Sequence, residues 1–425
     1  MKVLIIGGGI GGLTLALSLH QVGIYCRVFE AADEIRPLGV GINLLPHAMR
    51  EFSDLDLAEA IARRGVKTRE VSFYNRFGQH IFTEPRGQFA GYDWPQVSIH
   101  RGVLQEILLT AVRDRLGSDA FLAGHALEYA EASDTKVTAH FSKNTNGQRP
   151  DPVTGDVLVG CDGIRSALRA QLHPKDGPLV YSGITMWRGV TRWKPFLTGS
   201  TMVYAGWLKT GKVIVYPLED LTDGHGRQLI NWLCEFYTPP RDPSGDWSRP
   251  GEIDDFLWAC REMNFDWLNV PALVRAADFI LEYPMVDKFP LDRWSFGLMT
   301  LLGDAAHPMY PRGSNGAGQA VLDARTLAHH LARANEPVAA LAGYEADRRE
   351  TTGAIVLANR TIPPDAILKE IYERTGDKPF QAIDSIISQE ELLSLSEKYK
   401  KVAGFQRELL REGPSTFLSN HPKKT

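Results

Sequence analysis

Three clusters of glycine and acid carry the residue types that could do chemistry in this 425-residue chain. The first is Gly7-x-Gly9-x-x-Gly12, with Glu30 eighteen residues further on. The second is Asp162-Gly163, within Asp162-Gly163-x-x-Ser166-x-x-Arg169, and the third is Gly303-Asp304-Ala-Ala-His307. Glycines of this kind let main chain approach a pyrophosphate closely, and carboxylates accept hydrogen bonds from ribose hydroxyls. No Ser-His-Asp arrangement is evident. Cys26, Cys161, Cys234 and Cys260 are far apart and make neither a CxxC pair nor a metal-ligand spacing. The chemistry therefore points to a bound dinucleotide and not to a side-chain nucleophile or a metal.

The elements that must position the first cluster are legible around it. Val3 to Ile6 is an apolar strand, Leu13 to Val22 has helical spacing with Gly23 placed to stop it, and Ile24 to Phe29 is a second strand ending at Glu30. Gly7 serves the tight turn, Gly9 the approach to phosphate, and Gly12 the packing of helix on sheet; the helix N-terminus offers free N–H groups and a positive dipole end. Glu30 would repel a 2′-phosphate, so NADP does not suit this site. Lys2 and the apolar run after it could suggest a signal peptide, but the glycines that follow and the lack of a cleavage site exclude it.

The formal charge of −4 leaves no footprint for nucleic acid or an anionic membrane, and no apolar run reaches the length of a membrane span. The four thiols read as buried groups of a reducing, cytoplasmic compartment. No repeat or low-complexity tract is present.

Further along, Arg36 to Asn43 reads as a loop, with Gly39 and Gly41 suggesting close passage past a flat ligand. His47 to Arg64 reads as one helix, and Val71 to Thr83 as a hairpin. Val103 to Leu116 is an amphipathic helix, with Arg101 at its start free to hold a phosphate or ribose or to make a surface ion pair. Ala126 to Phe141 alternates as strands, and a polar linker spans Lys143 to Gly155. A helix begins near Ser166. From Pro178 to Tyr283 short β-rich pieces recur, which predicts a mostly antiparallel sheet inserted in the dinucleotide domain. Trp187 and Tyr216 lie there; with Pro308 and Pro311 they are the expected substrate wall. Leu298 to Leu302 is a strand, and a long helix covers Gln319 to Arg333 with glycines before it. His307 reads as a satisfied structural histidine. After Pro363-Pro364 the tail carries about three amphipathic helices, one with a capping box at Ser388 and Glu391, and a polar end; no chemistry is expected of it.

A second strand–GxGxxG–helix unit is lacking, so the chain holds either one nicotinamide cofactor or FAD with NAD(P)H as a transient visitor. A ligand touched at Glu30, Asp162 and Asp304 is long, like FAD.

With these motifs in this order and spacing, the chain resembles the class A FAD-dependent aromatic hydroxylases of the p-hydroxybenzoate hydroxylase type, and among them the phenazine-carboxylate monooxygenases. The likeness covers most of residues 1–360. It implies an α/β fold: a Rossmann-like FAD-binding domain of the glutathione-reductase type (1–70, 97–177 and 285–362), an inserted mostly antiparallel β-sheet substrate domain (71–96 and 178–284) and a C-terminal helical appendage (363–425). It implies that FAD lies along Gly7, Gly9, Ile10, Gly11, Gly12, Glu30, Ala31, Val40, Gly41, Arg101, Asp162, Gly163, Gly303, Asp304, Gly316 and Ala317. Glu30 would take the adenosine ribose, Arg101 the ribityl–phosphate region, and Asp304 the ribityl chain. The N–H groups of Gly316 and Ala317 would face the flavin pyrimidine edge. Many members carry Asn where Gly318 stands. In the implied reaction NAD(P)H reduces FAD, O2 adds as a hydroperoxide, and the distal oxygen attacks an electron-rich ring, with loss of CO2 a further option for a carboxylate substrate. Arg188 and Arg312 are the candidates to face such a carboxylate, with ordinary ion pairs the equal alternative. The expected state is monomer or homodimer. Two alternatives stand beside this one. A flavin-dependent halogenase would need a Trp-x-Trp-x-Ile-Pro run, which Trp187-Arg-Gly does not match. A non-catalytic FAD-binding regulatory protein would show no substrate-stimulated turnover.

Overall fold

The strand Lys2–Ile6 lies in the middle of a five-stranded all-parallel sheet, between Val157–Gly160 on one side and Tyr25–Phe29 on the other. In this computed structural model, residues 1–35, 39–239, 249–361, 365–402 and 406–412 are described. Met299–Leu301 and Phe121–Leu122 form the sheet edges. The central strands are apolar on both faces because helices cover both, as a parallel sheet requires. Val3, Leu4, Ile5, Val157, Leu158 and Val159 are fully buried. The helices Ile10–Gln21 and Gly316–Arg333 pack on each other, so both glycine-rich N-termini are brought to one end of this sheet.

A second sheet has seven strands. From Leu281–Asp287 it runs through Val180–Trp193, Gln228–Tyr237, Gly211–Pro217 and Thr201–Trp207 to the hairpin Glu70–Tyr74 and His80–Pro85. Every pairing is antiparallel except that of Thr201–Trp207 with Glu70–Tyr74. One face packs on a core of its own that contains Trp187, Trp232 and Phe256; the other faces the first domain and the tail helices.

Local structure departs from the sequence reading in four places. The helix expected over 47–64 is two, Pro46–Asp54 and Ala58–Arg64, because Asp56 takes a left-handed φ of 56° that no helix continues through. Part of the expected 36–43 loop is a strand: Gly41–Leu44 pairs with Val97–His100, while residues 36–38 lie outside those described. The long helix starts at Gly316 and not at Gln319. In the tail, helices span Ala366–Thr375, Gln389–Val402 and Arg407–Glu412, and Ser388 Oγ accepts the Glu391 N–H at 3.2 Å. The Pro363-Pro364 break and the polar end fall outside the described residues. The fourth departure is one of placement: Asp365 of the tail lines the cavity described below, where the sequence reading put no tail residue.

Candidate active site

The glycine turn after the first strand is built from contacts that tolerate no side chain. Gly7 has φ +106°, and a β-carbon there would meet Cys161 O at 2.4 Å; one at Gly12 would meet Gly7 O at 2.0 Å. Gly7 and Gly12 thus shape the turn from within. At Gly9 a β-carbon would meet nothing within 4 Å, so this backbone faces open space. Glu30 closes the turn from the side: its carboxylate accepts the Gly8 N–H at 2.7 Å and the Ala32 N–H at 2.9 Å.

The other two clusters are tied together by Arg169. Ser166 caps the helix Ala167–Leu172, and the Asp162 carboxylate also accepts from Ala167 N–H at 2.8 Å. On that helix Arg169 is fully buried, pairs with Asp176 at 2.7 Å, and donates to Ala305 O at 3.1 Å and Ala306 O at 2.9 Å. The Gly303–His307 turn is held from the other side by Asp323, which accepts from Gly303 N–H at 3.1 Å, His307 Nε2 at 2.5 Å and Arg348 Nε at 2.8 Å. His307 is structural, as its sequence context suggests.

These turns surround a cavity of about 340 Å3 between the parallel sheet and the seven-stranded sheet. Its wall includes Gly9, Ile10, Gly11, Gly41, Arg101, Gly163, Gly303, Asp304, Gly316 and Ala317, so ten of the sixteen residues expected at FAD converge there. Gly7, Gly12, Glu30, Ala31, Val40 and Asp162 stand behind or beside the wall. Arg101 projects into the cavity with no ion-pair partner among the described residues, and Asp304 feels its charge. Asp304 is enclosed by protein while open to the cavity; that enclosure pushes its carboxyl upward against the Arg101 and His307 charges.

The substrate-wall expectations divide. Pro311 and Tyr216 line the cavity. Trp187 does not: it is 1% exposed on the opposite face of the sheet, stacked on Phe236 and Phe256. Side chains alternate along a strand, so Met186 and Arg188 face the cavity and Trp187 between them cannot. Pro308 is buried away from the wall. Lys212, Ile214 and Tyr216 share one face of their strand by the same alternation. Gly41 permits close contact there, since a β-carbon would meet the Tyr216 ring at 2.7 Å. Burial pushes the Tyr216 hydroxyl up to about 12 despite Arg188 and a hydrogen bond with Asn43.

Of the group opposite, sequence reasoning named Arg312 but missed Lys212 and the carboxylates Glu235 and Asp365. Lys212 Nζ lies 2.5 Å from both Glu235 Oε2 and Asp365 Oδ2, and Arg312 Nη2 lies 2.9 Å from Asp365 Oδ1. Burial works to raise the Asp365 carboxyl, but the Arg312 and Lys212 cations hold it at about 2. A lysine inside the apolar strand Gly211–Pro217 was the available signal. Arg188, by contrast, has its Nε unpaired, one long hydrogen bond to Gly41 O at 3.5 Å and the Tyr283 ring at 5.8 Å; among the described residues no carboxylate pairs with it.

The cavity suits FAD on its own terms. Two helix N-termini, begun by Gly9 and Asn315 without side-chain caps, open on one space with a cation at Arg101 and a carboxylate at Asp304. Such a group supplies oxygen activation after reduction by NAD(P)H; the chain's own work is to hold it, orient the ring and exclude water. The chain belongs to the FAD-binding domain family, which matches residues 1–191 and 280–358. It is 46% identical to a phenazine 1,6-dicarboxylic acid hydroxylase of Lysobacter antibioticus, over 91% of this chain and 95% of that one. It is 34% identical to a 3-amino-4-hydroxybenzoate 2-monooxygenase of Streptomyces platensis, over 81% and 83%. In fold it is similar to Klebsiella pneumoniae HpxO, solved with FAD and uric acid, with a TM-score of 0.75, 23% identity and 97% of each chain covered. The protein is thus an FAD-dependent aromatic monooxygenase, of a family in which NAD(P)H is the usual co-substrate. Among the described residues no helix is long and apolar enough to cross a membrane.

Proposed function

We propose that this monooxygenase hydroxylates a fused, phenazine-type aromatic carboxylate, and that Arg188 receives the carboxylate. The observation that carries this is a cation beside the apolar wall residues Met186, Met202, Ile214 and Leu233, with no carboxylate in ion-pair contact among the described residues. An unpaired buried guanidinium is costly, and a planar carboxylate satisfies it bidentately. The likeness to a phenazine dicarboxylate hydroxylase supports the ring system. The overall change is ring C–H, O2, NAD(P)H and a proton to ring C–OH, water and NAD(P)+; loss of CO2 replaces loss of the ring proton if the attacked carbon carries the carboxylate.

In the same reading FAD runs from the Gly7–Gly12 turn and Glu30 to the Gly316–Ala317 N-terminus, with Arg101, Gly163 and Asp304 between. The FAD-binding domain comprises 1–70, 97–177 and 285–362, the substrate domain 71–96 and 178–284, and the appendage 363–425. The free thiols suit a reducing cytoplasm, and the working unit is a monomer or homodimer. The test is NAD(P)H oxidation by the FAD-loaded protein across benzoates, quinolines and phenazine carboxylates, with mass analysis of products. Substrate-stimulated oxidation yielding an oxygenated phenazine supports the reading. Stimulation confined to uncharged rings would refute it.

A further inference from the structure

The charged residues on the cavity wall are Arg101, Arg188, Lys212, Arg312, Glu235, Asp304 and Asp365. Their pairing is uneven. Lys212 and Arg312 are matched at one end by Glu235 and Asp365, through contacts of 2.5 to 2.9 Å. Arg101 and Asp304 stand at the other end, the one read above as FAD's. Arg188 remains, in register with Leu233, two residues along its neighbour from Glu235. We propose that Asp365 makes the enzyme selective for aromatic acids with a single carboxylate, by cancelling the cations that would otherwise accept a second one. This rests on the reading of Arg188 given above.

The physical reasoning is a balance of charge in a poorly hydrated space. One carboxylate on Arg188 completes an ion pair. A second carboxylate on the same rigid ring must leave water for a wall whose other cations are already engaged. Placed at the Lys212 end it meets Glu235 and Asp365, about 7 Å from the Arg188 row by strand geometry. At the opposite end the space beside Arg101 and Asp304 belongs to FAD in the reading above. The Lys212 end sets like charges together in low dielectric, which disfavours the ionised form. A neutral, hydrogen-bonding ring edge meets no such repulsion and can pair with the Lys212 group. Asp365 is supplied by the tail, directly before the helix Ala366–Thr375, so the appendage writes part of the specificity of a cavity otherwise lined by the strands, turns and helix starts that precede it.

The experiment compares phenazine-1-carboxylate with phenazine-1,6-dicarboxylate on the oxidised, FAD-loaded enzyme, reading binding by flavin absorbance and fluorescence so that no turnover is needed. Wild type should bind the monocarboxylate at least about tenfold more tightly, the equivalent of about 1.4 kcal/mol. Asp365→Asn should shrink or reverse that ratio by tightening the dicarboxylate. If this variant does not fold, Glu235→Gln is expected to move the ratio the same way. Equal or tighter dicarboxylate binding by wild type overturns the proposal, as does an unchanged ratio in a folded variant that binds both ligands. If neither acid binds, the Arg188 reading itself falls; if both bind and Arg188→Met abolishes both, that reading survives whatever the ratio.

Discussion

His47 Nε2 lies 2.6 Å from the point where a β-carbon on Gly318 would stand. His47 is 2% exposed and comes from the helix Pro46–Asp54; Gly318 sits in the first turn of the helix whose N-terminus lines the cavity. The imidazole therefore occupies the space that a side chain at 318 would need, which accounts for glycine at this position. Gly318→Asn alone should overpack the turn, costing about 1–3 kcal/mol and loosening FAD. His47→Asn with Gly318→Asn should recover much of both losses. Thermal unfolding and FAD titration of the two single variants and the double variant read the coupling; additive effects would contradict the contact.

The same histidine sets an acid limit on stability. Burial, then the Arg348 and Arg50 charges, lowers the His47 pKa to about 3 from an ordinary 6.5. Between those values the unfolded chain binds a proton that the folded chain refuses, so stability falls as pH drops below 6.5, by up to ~1.4 kcal/mol per unit. Asp365 is also depressed, to about 2 from 3.8, so its contribution is complete above 3.8 and is lost as pH falls through about 2. Urea unfolding at pH 7, 5.5 and 4.5 should show the His47 slope, and a folded His47→Gln variant should flatten it.

Arg169 joins the Asp162 turn to the Gly303–His307 turn. Its Nη1 donates to Ala305 O and Ala306 O while Nε holds Asp176. Asp176 also has Lys288 at 2.5 Å, so Arg169→Met leaves that carboxylate partnered. The expected cost is about 3 kcal/mol of stability, from lost buried hydrogen bonds, together with weaker FAD retention. Arg169→Lys should rescue little, because an ammonium cannot span both carbonyls and the carboxylate. Melting temperature and FAD dissociation on gel filtration measure both effects.

Arg188 and Trp187 are neighbours with opposite fates. Arg188→Met should raise KM for an aromatic carboxylate about tenfold or more, with melting temperature little changed or increased, since a buried cation is removed. Trp187→Leu should leave KM nearly unchanged and cost about 2–4 kcal/mol, because it opens space in the core made with Phe236 and Phe256. Steady-state kinetics beside thermal melts of the two variants separate the roles. A large KM effect from Trp187→Leu would put the strand in the opposite register.

Much of the fold was legible because its signals are local. The strand–glycine–helix–strand unit at the N-terminus needs only a few neighbours to form, and its glycines are dictated by backbone contacts such as Gly7 with Cys161. The Asp162 and Gly303 turns were readable for the same reason, each following a buried strand. The 47–64 helix was misjudged because Asp56 reverses the chain with a single left-handed residue, which apolar periodicity does not register.

The sequence by itself determined the parallel sheet, the FAD-type turns and their order, since each follows from spacing and residue size along the chain. The tertiary structure alone decided which face of the Val180–Trp193 strand meets the ligand, and so exchanged Trp187 for Arg188. It alone brought Asp365 to Lys212 across 153 positions of sequence. Strand parity relative to a partner sheet, and pairing between distant charges, depend on how whole elements pack, and no local pattern carries that information.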